Sequence, residues 1–199
     1  MKTFNISLLW IVLLAGGCRQ IVCWKHEIHQ PCEEGPESLE KFLAQMGLTS
    51  KNVYLFKDAA SFAYHIPNLA LRHELIGMLV FDHHGLVQIQ ADTTSEGHGD
   101  IVAGLNNEAI FLTDTTFRWQ QLISDLLPMN GKHEELNQSA FDYLVMITWA
   151  CFAGKLNEPI SKIMDSARQN RNTRISFVLL NVDMQKSWKL RKGQRLTFR

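Results

Sequence analysis

Apolar positions recur along this chain with two periods, and the switching between them outlines an α/β domain. Leu39, Phe42, Leu43 and Met46 share one helical face after Pro36-Glu37-Ser38 and before Gly47, which predicts a helix over 37–46. Val53 to Phe56 reads as a strand, and residues 59–65 as a short helix closed by Pro67. The apolar run 75–82 predicts a buried strand. After the turn His83-His84-Gly85, Val87, Ile89 and Ala91 alternate with Gln88 and Gln90, which predicts a half-exposed strand over 86–91 and hence a hairpin. Further on the pattern gives a short helix over 100–105, a short strand over 109–112, a helix over 114–127 ended by Pro128, and a polar loop over 130–139. Residues 141–149 form the strongest buried strand pattern, residues 158–170 a helix with Pro159 in its first turn, and residues 175–182 a second buried strand. Strand, helix and strand within so short a span make a βαβ unit, whose two strands pair in parallel.

Composition supports a single domain over 37–199. The chain has 199 residues, 46% apolar and 20% charged, which is globular and excludes disordered, collagenous and coiled-coil chains. Net charge is zero but unevenly placed. Residues 1–159 carry 10 Lys+Arg against 18 Asp+Glu, and residues 160–199 carry 10 against 2. The basic end, with Lys186, Lys189, Arg191, Lys192, Arg195 and Arg199, reads as a solvated tail or as a surface for anionic lipid headgroups. Nucleic acid is not the expected partner, because only Trp188 and Phe198 are interleaved with these charges.

The first 17 residues have the layout of a secretory signal: Met1-Lys2, an apolar stretch to Ala15, then small residues. Leu14-Ala15-Gly16-Gly17-Cys18 resembles the lipobox of bacterial lipoproteins, although Ala15 stands where Leu is commonest. The resemblance implies cleavage before Cys18, a diacylglyceryl thioether on its sulfur and an acylated amino terminus. It also implies an exported protein of the bacterial cell envelope, membrane-anchored through its lipid, with residues 18–36 as anchor and linker. Outside the cytoplasm disulfides persist.

Cys23, His26, His29 and Cys32 place thiols and imidazoles every third residue. They read as a Cys23–Cys32 disulfide, as a metal clip, or as free thiols. Zinc accepts two Cys and two His, although this spacing gives the chain little room to wrap one ion. No dinucleotide fingerprint, nucleophile elbow or calcium loop occurs, so no cofactor is expected.

The segment from Ile147-Thr-Trp-Ala-Cys151 through Pro159 to Val182-Asp183 and Trp188 resembles the first βαβ of thioredoxin-like proteins of the exported thiol–disulfide oxidoreductase type. That resemblance implies a mixed sheet with flanking helices. It departs from the family at the chemistry. With Pro159 aligned, Cys151 takes the nucleophile position and Gly154 replaces the second cysteine, so C-x-x-C is missing and two-electron exchange within the motif is lost. The segment 53–105 is similar to the later half of the same fold but precedes the first half, so the expected domain is permuted or incomplete. Cys151 reads as a small buried residue, or as a monothiol whose sulfur is activated by a helix start and by Lys155. The expected function is a lipid-anchored envelope protein with a redox-inactive thioredoxin-like domain that binds or scaffolds an envelope protein partner. The alternatives are a monothiol redox or redox-sensing protein acting through Cys151, and a metal-handling lipoprotein.

Overall fold

A computed structural model describes residues 23, 25–72, 76–90, 111–131, 141–168, 173–191 and 196–197. Its strands in chain order are β1 (Glu33–Glu34), β2 (Val53–Phe56), β3 (Met78–Asp82), β4 (Leu86–Gln90), β5 (Phe111–Arg118), β6 (Leu126–Pro128), β7 (Tyr143–Trp149), β8 (Ile175–Asn181) and β9 (Met184–Gln185). The helices are α1 (Pro36–Gln45), α2 (Ala59–Arg72), α3 (Trp119–Ile123) and α4 (Pro159–Arg168). Seven strands form one mixed sheet in the order β5-β4-β3-β7-β8-β2-β6. The strands β7, β8 and β2 run parallel, and β3 is antiparallel to β7.

The expected βαβ unit is present. β7 and β8 pair in parallel from Tyr143↔Ile175 to Trp149↔Asn181, with α4 between them in the chain. The expected hairpin is present too, with β3 and β4 antiparallel across Gly85. Gly85 has φ +77°, so the turn favours glycine.

Alternating side chains of the central strands serve two cores. Tyr54, Phe56, Leu79, Phe81, Met146 and Leu180 face α2 and α3, where Phe62, Ile66, Leu69, Trp119 and Leu122 cover them. Val53, Met78, Val80, Ile147, Trp149 and Leu179 face α1 and α4, where Leu39, Leu43, Ile160 and Ile163 cover them. Burial on both faces explains why β7 and β8 read as nearly unbroken apolar runs. Phe42 stacks on Trp149 at 5.7 Å and fixes α1 over the end of β7.

Three sequence expectations are corrected. The helix at 59 does not stop before Pro67 but continues to Arg72. Phe62, Ile66 and Leu69 bury one face across the proline, and that burial offsets the roughly 3 kcal/mol an interior proline costs. The helix expected over 114–127 is a strand to Arg118, a short helix and the strand β6. Residues 111–118 pair along β4, and their threonines suit a pleated strand better than a helix. Residues 33–34, expected within the linker, pair in parallel with β9. The expected helix over 100–105 and the loop residues 132–139 lie outside the described residues, as does Cys18.

Candidate functional site

Parallel strands leave a crevice beyond their carboxyl ends, where α/β proteins place ligands. Here that end holds Ala150, the loop Cys151–Asn157 and Asp183. The loop consists of tight 3-10 turns broken at Gly154, whose backbone lies at φ 52°, ψ −125°. Asn157, buried at 2% exposure, ties it shut: its Nδ2 donates to the carbonyls of Ala150 at 2.8 Å and Gly154 at 3.0 Å, and its Oδ1 accepts from the Ala150 amide at 3.3 Å.

A strap formed by residues 25–32 lies across this loop. The His29 amide donates to the Phe152 carbonyl, and the Lys155 amide donates to the His26 carbonyl, both at 2.8 Å. Lys155 Nζ pairs with Glu27 Oε1 at 2.7 Å. Gly154 permits the approach, since a Cβ on it would stand 2.2 Å from the Glu27 carbonyl oxygen and 2.5 Å from that of His26. The position where the family resemblance wanted a second sulfur is therefore the position where the strap's backbone docks.

Behind the loop lies a buried polar network. Asp183, 1% exposed, accepts at Oδ2 from the Cys151 amide and from Asn181 Nδ2, both at 2.7 Å. Gln185 Nε2 donates to Asn181 Oδ1 at 2.8 Å and to the Asp183 carbonyl at 2.9 Å. Asp183 Oδ1 is buried without a hydrogen-bond partner. Burial pushes the Asp183 carboxyl above its ordinary range, against the hydrogen bonds that hold it down. A carboxyl raised in the folded state binds its proton more tightly there, so its contribution to stability falls as pH rises above the ordinary value of 3.8. Asp183→Asn keeps an acceptor for the Cys151 amide. Its unfolding free energy is expected to lose that part of the decline with pH, as urea titrations at pH 4 and pH 7 would measure.

Of the two readings of Cys151, a small buried residue or an activated monothiol, its half-buried position and its surroundings favour the first. Burial, then the neighbouring Asp183 and Glu34 carboxylates, push its thiol far above the ordinary range. The turns that start there are 3-10, Cys151–Asn157, and the Asp183 and Glu34 carboxylates oppose a thiolate at their first residue. Lys155, the expected activator, is engaged by Glu27. Cys23 and Cys32 are both thiols in this structure, and Cys32 Sγ donates to Glu34 Oε1 at 2.9 Å. The candidate metal set Cys23, His26, His29 and Cys32 is not gathered: among the described residues no group of three or more His, Cys, Asp or Glu is placed to hold a metal ion. His29 and Cys32 are exposed. Trp188, part of the family resemblance, sits away from the loop, where its Nε1 donates to the Phe56 carbonyl at 3.3 Å and its ring packs on Phe62.

Between the strap, the loop and α4 opens a cavity of about 890 Å³. Ile28, Phe152, Leu156, Ile160 and Ile163 line it, and Lys25 and Lys162 are also among its lining. That volume lies within the usual range for ligand pockets, about 300–1,000 Å³. No local pattern marks it, because its walls come from three separated segments, residues 25–28, 76–77 and 147–163.

A second polar cluster lies at the β2–β6 edge. Asp125 binds Lys57 through Oδ1 and, through Oδ2, Nε2 of the buried His65 at 2.8 Å. The Lys57 and His65 contacts hold the Asp125 carboxyl below its ordinary range. A carboxylate lowered in the folded state adds stability above its unfolded pKa of about 4, and that stability is lost as pH falls through the folded value. Asp125→Asn is therefore expected to flatten the acid limb of a stability–pH curve. An unchanged acid limb would show that the cluster contributes nothing there.

Among the described residues no helix is long and apolar enough to cross a membrane. No protein-family profile, curated protein or solved structure matches the chain.

Proposed function

We propose that this chain is a lipid-anchored protein of the bacterial cell envelope whose thioredoxin-like domain, permuted in chain order, binds a ligand rather than exchanging disulfides. The sheet order β4-β3-β7-β8 supports the architecture: two parallel strands joined through a helix, with an antiparallel hairpin beside the first of them. In this chain the hairpin precedes the βαβ unit, as a permuted domain requires. The lipobox-like run ending at Cys18 supports the anchor.

The observation that carries the binding reading is the docked strap. It fills the space at Gly154 and at the same time walls an apolar cavity. An apolar group with an anionic end suits that cavity, since its walls are mostly aliphatic and aromatic while Lys25, Lys155 and Lys162 outnumber the one lining carboxylate, Glu158. A fluorescent long-chain carboxylate is the probe. It is expected to bind saturably at one site, and Leu156→Asp, a change at a partly exposed wall position, is expected to weaken it at least tenfold with the circular dichroism unchanged. Absence of saturable binding, or equal binding by Leu156→Asp, would overturn this reading.

A further inference from the structure

Glu27 sits in the strap at φ 53°, a left-handed backbone that Gly, Asn or Asp would hold at less cost. Glutamate gives this turn a longer carboxylate arm than any of them. Its Oε1 stands 2.7 Å from Nζ of Lys155, and both side chains are exposed. Lys155 lines the cavity, as do Lys25, His26 and Ile28 of the strap, whereas Glu27 stands outside that lining. The pair therefore holds one of the cavity's ammonium groups at its rim.

Lys155 differs from the other two lysines of the lining. Its backbone is fixed, since its amide donates to the His26 carbonyl at 2.8 Å and Asn157 ties the preceding loop from Ala150 to Gly154. A carboxylate already fits against its ammonium, and the apolar walls Phe152 and Leu156 belong to the same short loop. Lys162 instead lies on α4, one helical turn after Glu158, and Lys25 begins the strap. An exposed ion pair contributes little to stability, so a second carboxylate can replace Glu27 at small cost. Against apolar walls the same contact to a ligand is stronger, because less water competes for it. The strap itself keeps its backbone hydrogen bonds at His29 and Lys155 when Glu27 lets go.

We propose that Lys155 is the specificity-determining residue of the cavity, selecting a single apolar chain that ends in a carboxylate, and that Glu27 is a competitor built into the strap, which the ligand's carboxylate displaces. This role rests on the binding function proposed above and gives it a chemical selectivity.

The test titrates the full chain with two fluorescent probes of equal chain length, a long-chain carboxylate and the corresponding alcohol. Wild type is expected to prefer the carboxylate about tenfold, the ordinary worth of a hydrogen bond to a charged group. Lys155→Met is expected to weaken the carboxylate to the level of the alcohol, and Lys155→Arg, which keeps the charge, to retain the preference. Lys25→Met and Lys162→Met are expected to retain it too. Glu27→Gln is expected to bind the carboxylate about threefold more tightly, with the alcohol unaffected. Glu27→Asn, which suits the left-handed backbone, is expected to do the same. A Lys155→Met protein that still prefers the carboxylate would overturn the proposal. So would Glu27→Gln and Glu27→Asn proteins that both bind it no more tightly than wild type. Equal binding of the two probes by wild type would leave the apolar cavity as a binding site and overturn the role of Lys155. Absence of saturable binding by either probe would instead remove the binding function itself, and this role with it.

Discussion

Cys18→Ser is expected to move the protein from the membrane fraction to the soluble fraction of the envelope. Buried acyl chains contribute about 0.8 kcal/mol per CH₂, so one chain binds marginally and two or three bind stably. The basic tail adds only about 1 kcal/mol per Lys or Arg close to an anionic surface, and that contribution weakens with salt. Fractionation at high salt therefore separates the two. Wild type is expected to stay with the membrane and the variant to leave it. Equal retention of both would place the anchor elsewhere in the chain.

Gly154→Ala is the second large effect. The added Cβ meets the Glu27 and His26 carbonyl oxygens at 2.2 and 2.5 Å, and the contacted atoms are backbone with no side chain to swing away. Gly154 also sits at φ 52°, ψ −125°, a conformation that costs other residues about 1–3 kcal/mol. The strap is expected to detach, losing the two backbone hydrogen bonds and the Lys155–Glu27 pair together. Total destabilisation is expected at about 2–4 kcal/mol, within the range for strain at a special backbone position. Urea unfolding measures the loss, and proteolysis after Lys25 reports the freed strap. Cleavage there at the wild-type rate would show that the strap does not depend on the glycine.

The sequence carried the β7–α4–β8 unit and the β3–β4 hairpin because those segments are locally consistent. Tyr143–Trp149 and Ile175–Asn181 are long apolar runs buried on both faces, and Gly85 marks the only turn between β3 and β4. The stretch 111–128 misled because Phe117, Leu122, Ile123 and Leu126 happen to suit a helical stripe, while the strand signal lay in Thr113, Thr115 and Thr116. Pairing with β4 then decided the outcome. Pro67 misled in the opposite direction, since packing held the helix through it.

The site was legible in its parts and not in its assembly. Cys151, Lys155, Gly154 and Asp183 all stood out in the sequence, but the role of each was set by tertiary neighbours. Lys155 turned to Glu27, and Asp183 came to lie against Cys151. Asn157, Asn181 and Gln185 gave no signal, because a polar residue at the end of an apolar run reads as solvent-facing until the chain folds over it. Docking of residues 25–32 was equally hidden, since backbone hydrogen bonds to a distant loop leave no side-chain pattern.

The Cys151 thiol lies half-buried, with its amide on Asp183 and its titration pushed up by burial and by the neighbouring carboxylates, and alkylation of the reduced, folded protein across pH tests the redox-inactive reading most directly. Mass spectrometry resolves the three described cysteines separately. Cys32 is expected to label in the native state, while Cys151 stays unlabelled near neutral pH and labels at the rate of an ordinary thiol once the protein is unfolded. Rapid labelling of native Cys151 near neutral pH would show an accessible, activated thiolate and would contradict a binding domain with a closed loop.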